Sequence, residues 1–408
     1  MKILLIDVNC KNSSTGKIVH DLYSGIKNSG NEAAICYGRG PIINGNNILK
    51  FGLDWETYCH AFLTRLLGFT GCYSYFSTKR LINFIKKFKP DLVHIHELHA
   101  YFVNIKPLLK YLADLGLPIV WTFHCEFMYT GKCGHAFDCL GFLNECGNCP
   151  QLHDYPKSFF FDQTKYMFRK KRELFSHLMN ITIVTPSVWL ANRVRMSFLK
   201  DRNIQVIHNG IDTRMFYPRE TTLLKKKLEI IDGQRVVLSV APGIMSEQKG
   251  GKYVIKLAEI MKKENIKFIL VGADDANIPH PSNTIILPRT ADQNELAELY
   301  SLADVFVICS SRENLPTTCL EAQCCGTPVC GFEAGGAKET AVSDISIFVS
   351  YGDLDGLKSA VERVLLEGFD KLSLANESNK IYSKKTMIDN YQSIYSKFFG
   401  DKLLWVNK

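Results

Sequence analysis

Short β-branched runs alternate with longer stretches of helical period along almost the whole chain, and they do so in two series. The first series of strand candidates covers 3–7, 32–36, 92–96, 119–123, 181–185 and 205–208. The second covers 236–240, 267–271, 284–287, 305–308, 328–331 and 345–349, with amphipathic stretches such as 249–264 and 295–302 between them. Strands that alternate with helices must pair in parallel, because each crossover helix covers a face of the sheet. Two series of this length therefore predict an α/β chain with two doubly wound parallel-sheet domains. The boundary is expected near 209, where Asn209-Gly210 and Tyr217-Pro218 punctuate the pattern. In such sheets ligands bind outside the carboxyl ends of the strands, so two facing domains would place function in loops around a cleft.

Composition narrows the function classes. The chain has 408 residues, of which 49 are Lys or Arg and 41 are Asp or Glu, a formal net charge of +8. That balance lacks the dense basic stripe of a nucleic-acid binder, and no nucleic-acid partner is expected. It suits phosphorylated substrates or an anionic membrane surface. The opening segment reads as a buried strand from Lys2, without an apolar leader and cleavage site, and no apolar run approaches the ~18 residues that span a bilayer. A cytoplasmic protein with reduced thiols is the expectation. Of the 14 cysteines, Cys309, Cys319, Cys324, Cys325 and Cys330 lie in one apolar stretch and read as small core residues.

Three loops that follow strands carry the chemistry. In Ser310-Ser-Arg-Glu-Asn-Leu-Pro-Thr-Thr-Cys-Leu-Glu-Ala322, a helix is expected to take Pro316 as its first residue and to end at Gly326. The amides of Asn314 and Leu315 would stand at its positive end. Glu313 and Glu321 can face the same crevice, and a carboxylate suits the vicinal hydroxyls of a sugar or ribose. The plainer account is an acid favouring the helix dipole and a solvated helix glutamate. In Ala241-Pro-Gly-Ile-Met-Ser-Glu-Gln-Lys-Gly-Gly251, Gly243 and its neighbours let backbone approach a phosphate and Lys249 supplies positive charge, although the spacing is not that of a Walker A loop. Asn12-Ser-Ser-Thr-Gly16 offers small residues after the first strand. Together the loops suggest one ligand that joins a sugar to a diphosphate.

These residues, with Gly326-Thr-Pro-Val329, Gly335-Gly336, Glu339, Leu270-Val-Gly272, His208-Asn-Gly-Ile-Asp212 and Pro90-Asp-Leu-Val-His-Ile-His96, resemble glycosyltransferase family 4 across nearly the whole chain. The resemblance implies a GT-B fold of two Rossmann-like domains facing a cleft: 1–208 on the acceptor side, 209–386 binding the nucleotide sugar, and a helix in 387–408 crossing back to the first domain. It implies retention of anomeric configuration and no catalytic metal or other cofactor. By the same resemblance Glu313, Asn314 and Leu315 would hold the donor sugar, Glu321 the ribose, and Lys249 the leaving diphosphate. His124 matches the histidine beside the reacting sugar, and Thr15 and Gly16 match the small residues under the phosphates. Many members carry an arginine five residues before the lysine. Here that position is Ile244. Arg289 is expected near the base.

Other clusters point elsewhere. Cys133, Cys139, Cys146 and Cys149 fall within 17 residues of a loop spanning 125–156, and the closing Cys-x2-Cys is half of a zinc knuckle. A structural zinc is the first expectation, with a disulfide pair or free thiols as alternatives. His94, His96 and His99 read as packed or cleft-lining histidines rather than a metal set, and Asp274-Asp275 as a solvated loop. Tyr58 to Phe76 is rich in aromatic residues, and Lys79, Arg80, Lys86, Lys87 and Lys89 follow it, with Arg169-Lys-Lys-Arg172 further on. Such surfaces suit peripheral membrane contact, and a charged face on a packed helix is the duller account.

The expected function is a retaining, metal-independent glycosyltransferase of the hexosyltransferase type, with a nucleotide diphosphate sugar as donor. The expected acceptor is a glycan, of the lipid-linked kind, in surface polysaccharide biosynthesis. The alternatives are a nucleotide-sugar epimerase of the same fold, which needs an acid–base set not seen here, and a non-catalytic subunit.

Overall fold

The computed structural model describes residues 1–11, 13–275 and 278–399. The chain divides into two compact units, one from Met1 to Ile207 rejoined by the chain from Ile388, the other His208–Met387.

The first unit runs β1 (Lys2–Asp7), α1 (Ser14–Asn28), β2 (Glu32–Tyr37), β3 (Ile48–Lys50), α2 (Asp54–Leu67), α3 (Tyr75–Phe88), β4 (Leu92–Ile95), α4 (Ile105–Leu115), β5 (Ile119–Thr122), α5 (Thr164–Ser176), β6 (Ile181–Thr185), α6 (Val188–Met196) and β7 (Asn203–Val206). Its seven strands lie in the order β3-β2-β1-β4-β5-β6-β7, and every pairing is parallel. Ile3, Leu4, Leu5 and Ile6 are fully buried because both faces of β1 are covered, which is why its sequence reads as an unbroken apolar run. Ser13 starts α1 by accepting the Gly16 amide on its hydroxyl. The long connection from β5 to α5 holds the four-cysteine loop.

The second unit runs α7 (Thr222–Lys227), β8 (Arg235–Val240), α8 (Gly251–Ile260), β9 (Ile266–Ala273), β10 (Thr284–Pro288), α9 (Gln293–Leu302), β11 (Val305–Ile308), α10 (Thr317–Cys324), β12 (Val329–Phe332), β13 (Ile347–Val349), α11 (Leu354–Glu367) and α12 (Lys371–Tyr382). Its six strands lie in the order β10-β9-β8-β11-β12-β13, again all parallel. Helix α10 is buried almost all round, and its Cys319 and Cys324 are core residues, as are Cys309, Cys325 and Cys330. A last helix, α13 (Lys384–Lys397), takes the chain back to the first unit. There Tyr395 bonds His94 at 2.7 Å and Tyr391 bonds Thr122 at 2.9 Å.

Three differences from the sequence expectations have physical causes. β3 has only three residues, all half-buried at the sheet edge, too short a run to read. β7 begins two residues earlier than expected because an edge strand lacks an unbroken buried run. Pro316 caps α10 instead of opening it, with extended φ −66°, ψ 114°.

Candidate functional site

In a doubly wound sheet the strand order reverses at one place, and the loops on either side of it diverge to leave a crevice. That place is β1/β4 in the first unit and β8/β11 in the second. Most of the donor-site residues singled out from sequence lie beside these two points.

In the second unit the loop after β8 meets the loop after β11. Gly250, at φ +69°, allows this approach, since a Cβ there would fall 2.2 Å from the Cys309 carbonyl oxygen. The Ser311 amide donates to the Gln248 carbonyl at 2.9 Å, and Lys249 Nζ donates to Glu313 Oε1 at 2.7 Å. The Gly336 amide donates to the Glu313 carbonyl at 3.1 Å, which ties in the glycine pair after β12. Asn314 and Leu315 are buried beside this pair. Glu321, in α10, accepts from the Tyr300 hydroxyl at 3.0 Å. Burial, reinforced by Glu321, raises the Tyr300 phenol well above its ordinary value, so it stays a donor.

Gly243 turns left-handed at φ +59°, but the neighbouring Ile244 is a core residue, so the position where many relatives carry arginine offers no cation. Arg289 is exposed just beyond β10, an edge strand two places from β8, and does not join the Lys249–Glu313 pair.

At β1/β4 the chemistry is different. Ser14, Thr15 and Gly16 belong to the first turn of α1 instead of a loop, and Asn12 lies outside the described residues. Thr15 Oγ1 donates to Asp7 Oδ2 at 3.1 Å, and the Glu97 amide donates to Asp7 Oδ1 at 3.2 Å. Burial pushes the Asp7 carboxyl up to about 7, against the backbone amides that favour its anion. Glu97 accepts the His124 amide at 3.2 Å and the Cys125 thiol at 3.3 Å, and His99 Nε2 stands 3.6 Å from it. His124 Nε2 and His96 Nδ1 share a hydrogen bond of 3.0 Å. Burial lowers the basicity of both rings, while Glu97 acts the other way on His124. His94 is packed, bonded to Tyr395 and Thr122.

Sequence reasoning missed Tyr300, Asp7 and Cys125. Asp7 closes the first strand with no motif around it, and Tyr300 is far from Glu321 in the chain. Glu97, His99 and Cys125 bring three ligand atoms within 4.8 Å of one another, which the His-x-His spacing did not reveal. Within this set the Cys125 thiol donates to Glu97, burial with Glu97 keeps that thiol protonated, and His99 Nδ1 is buried without a hydrogen-bond partner among the described residues.

The four-cysteine loop has no disulfide. Cys133, Cys139, Cys146 and Cys149 all line one cavity of about 20 Å³, the space of a single water or ion. The Gly131 amide donates to Cys146 Sγ at 3.2 Å and the Gly141 amide to Cys139 Sγ at 3.4 Å. A hydrogen bond between Cys133 and Cys149 lowers the Cys149 thiol to about 7 and raises Cys133. The sulfurs are looser than the Glu97 set, which among the described residues is the one that meets the 4.8 Å spacing. Lys171 was expected on a basic surface stretch. It is buried instead, and its ammonium donates to the carbonyls of Phe127, Thr130 and Gly131.

Comparison with known proteins agrees with this geometry. Residues 16–215 match Glycosyltransferase Family 4, and residues 220–384 match Glycosyl transferases group 1. A protein of Escherichia coli (strain K12) bearing the name colanic acid biosynthesis glycosyl transferase WcaC is 23% identical over 75% of this chain and 76% of its own. A Campylobacter jejuni protein is 26% identical over 49% of this chain and 56% of its own; its name is N,N'-diacetylbacillosaminyl-diphospho-undecaprenol alpha-1,3-N-acetylgalactosaminyltransferase. Among solved structures, a sucrose-phosphate synthase from Thermosynechococcus elongatus superposes with a TM-score of 0.66 at 16% identity, covering 98% of this chain and 99% of that one. Anabaena HepE in complex with UDP-glucose does so with a TM-score of 0.62 at 14% identity, covering 97% and 100%. With two Rossmann-like parallel sheets and both halves matched, the chain belongs to glycosyltransferase family 4 and has the GT-B fold.

Proposed function

We propose that this chain transfers a hexosyl unit, with retention, from a nucleotide diphosphate sugar to a lipid-linked glycan during surface polysaccharide assembly, on the cytoplasmic side of the membrane. The observation that carries the reading is the Lys249–Glu313 pair at 2.7 Å across the β8/β11 switch point. The bond to be broken joins a polyhydroxylated ring to a diphosphate, so its two ends need a hydroxyl acceptor and a cation side by side. Glu313 would take the sugar hydroxyls and Lys249 the leaving diphosphate, each giving up the other as the donor enters. Negative charge grows on the diphosphate as the C1–O bond lengthens, and a fixed cation aimed there lowers the barrier. Glu321, held by Tyr300, would take the ribose hydroxyls. Thr15 and Gly16 we assign to the phosphates, and His124, kept neutral by burial, to a hydroxyl of the reacting sugar. Lys249 and the amides near α10 would neutralise the diphosphate without a metal. The lipid-linked acceptor draws support from the Campylobacter relative's name, and the surface-glycan role from that of the Escherichia coli protein.

The test is incubation of purified protein with a panel of nucleotide sugars, followed by proton NMR of the products. Slow release of free sugar with one donor, and an α-linked product once acceptor lipid is added, is the expected result. Interconversion of two nucleotide sugars would make it an epimerase, and no turnover with any donor a non-catalytic subunit. Activity should survive a chelator on the minutes scale. Prompt loss restored by magnesium or manganese would refute metal independence.

We also propose one structural zinc in the four-cysteine loop. The shared cavity and the amide donors to Cys139 and Cys146 support it, because bound thiolates sit at about 2.3 Å from zinc and need donors to spread their charge. Elemental analysis of protein purified without chelator should give one zinc per chain, and Cys146→Ser should lower both the metal content and the melting temperature. A zinc-free preparation with unchanged stability would leave the cysteines as free thiols.

A further inference from the structure

Helix α2 is built inside out. At 100° per residue Trp55, Tyr58, Phe62 and Leu66 fall within about 80° of arc, and all four are exposed, Tyr58 by 73%. The buried residues of the helix are Glu56, Thr57, His60 and Thr64. An ordinary surface helix shows the reverse, with its apolar stripe on the core. The polar face is put to use inside. Glu56 accepts the amides of Phe76 and Ser77, both at 2.8 Å, at the positive end of α3. His60 bonds Ser74 at 2.8 Å, and Thr64 donates to the Phe69 carbonyl at 2.9 Å.

The apolar face does not end with the helix. The Trp55 ring meets Phe76 at 5.9 Å, which extends the patch to the exposed start of α3 at Tyr75 and Phe76. At the other end the Phe159 amide donates to the Arg65 carbonyl at 2.7 Å, setting the exposed run of Phe159, Phe160 and Phe161 against the end of α2. Tyr166 joins through an edge contact with Phe69 at 5.4 Å. Contiguous apolar patches of this kind mark docking surfaces.

Charge selects the occupant. Arg65, Lys79, Lys157 and Lys165 are exposed at or beside the patch. Three acids of these segments are engaged: Asp54 by Lys50, Asp162 by the Cys149 and Thr164 amides, and Glu145 by Arg169 and Arg172. Aromatic rings ringed by cations fit the headgroup region of an anionic bilayer, where Trp and Tyr settle and each nearby cation adds attraction. Among the described residues no helix is long and apolar enough to cross a membrane, so contact through this face would lie in the plane of the surface. We propose that the exposed face of α2, with Phe76 and Phe159–Phe161, docks the protein onto anionic lipid. The inference deepens the reading of a lipid-linked acceptor and rests on it for its purpose, though not for its geometry.

The full chain should be sedimented with phosphatidylglycerol–phosphatidylcholine vesicles and with phosphatidylcholine vesicles alone. Binding is expected to the anionic vesicles and to fall with added salt. Phe62→Ser and Phe160→Ser should each weaken it by about tenfold, and Lys79→Glu by about fivefold or more. The substituted side chains are exposed, so melting temperature and donor hydrolysis should stay at wild-type values, which confirms folding. Equal binding to both vesicle types, or binding indifferent to these changes, overturns the proposal. So does an absence of vesicle binding with a dimer in light scattering that Phe62→Ser dissociates, since the occupant is then a second copy. Vesicle binding without any glycosyl transfer would leave this surface standing and refute the catalytic reading alone.

Discussion

The two switch points have the same topology and opposite chemistry. At β8/β11 a lysine and a glutamate meet directly, Lys249 on Glu313 at 2.7 Å. At β1/β4 the corresponding place holds two carboxylates, Asp7 and Glu97, with His96, His124 and a thiol tied to them or to each other by hydrogen bonds and His99 Nε2 standing 3.6 Å from Glu97. No cation enters that set among the contacts described. A paired opposite charge can be exchanged for a ligand that itself carries anion and hydroxyls. A buried acid of raised pKa, beside the buried rings of His96 and His124 whose basicity is lowered, offers directional hydrogen bonds to an uncharged group. The same backbone design thus holds an ion pair at one switch point and a set of carboxylates, imidazoles and a thiol at the other.

The sharpest way to break the comparison is to remove the cation. Lys249→Ala should lower kcat for donor hydrolysis by about 10²–10³-fold, the range for one transition-state charge partner, and Glu313→Gln should also act mainly on kcat. Glu321→Ala should act on donor affinity instead, by about 2 kcal/mol, since its assigned partner does not react. If Lys249→Ala stays within twofold of wild type, the ion pair is merely structural and the contrast between the switch points disappears.

The first unit is tested by pH. Asp7 titrates near 7 in the folded chain and near its ordinary 3.8 when unfolded, so the native state holds the extra proton between those values. Its contribution to stability is therefore complete below pH ~4 and is lost as pH rises towards 7, at up to about 1.4 kcal/mol per pH unit. His96 and His124, held below their ordinary values, act in the opposite sense, with stability lost as pH falls from the ordinary 6.5 towards their lowered folded values. The difference between wild type and Asp7→Asn isolates the carboxyl. Denaturant midpoints measured from pH 4 to 7 should fall more steeply for wild type than for Asp7→Asn. Parallel curves would mean that Asp7 is ionised when folded, and that this switch point is charged after all.

What the sequence made legible follows the same division. Strands buried on both faces announce themselves as apolar runs, so β1, β6, β8 and β11 are readable almost to the residue. Loops with a local signature, such as Glu313 to Glu321 or the glycines before α8, are readable because their parts are close in the chain. Partners joined only by the fold are not. Glu97 meets Cys125 because β4 lies beside β5, and Lys171 looks like one more surface cation until α5 turns it onto three carbonyls. The inverted α2 is the extreme case. Its period is correct for a helix, and nothing local tells which face the core will take.

The smallest effect tests one of those fold-made partnerships. Tyr300 packs against Phe216 and Phe306 at 6.1 and 5.6 Å, and its hydroxyl reaches Glu321. Tyr300→Phe keeps the ring and removes the donor, so it separates packing from positioning. Glu321 would then hold its rotamer less well for the ribose. The donor KM should rise by about fivefold, roughly 1 kcal/mol, the ordinary net worth of one hydrogen bond. The kcat should not move, because the reacting bond is not involved, and Glu321→Ala should mask the effect in the double variant. If melting temperature falls while KM is unchanged, Tyr300 serves the core of the second unit alone. The carboxylate of Glu321 would then be oriented by its helix without help from β11's neighbour, and the second switch point would need no support beyond the Lys249–Glu313 pair.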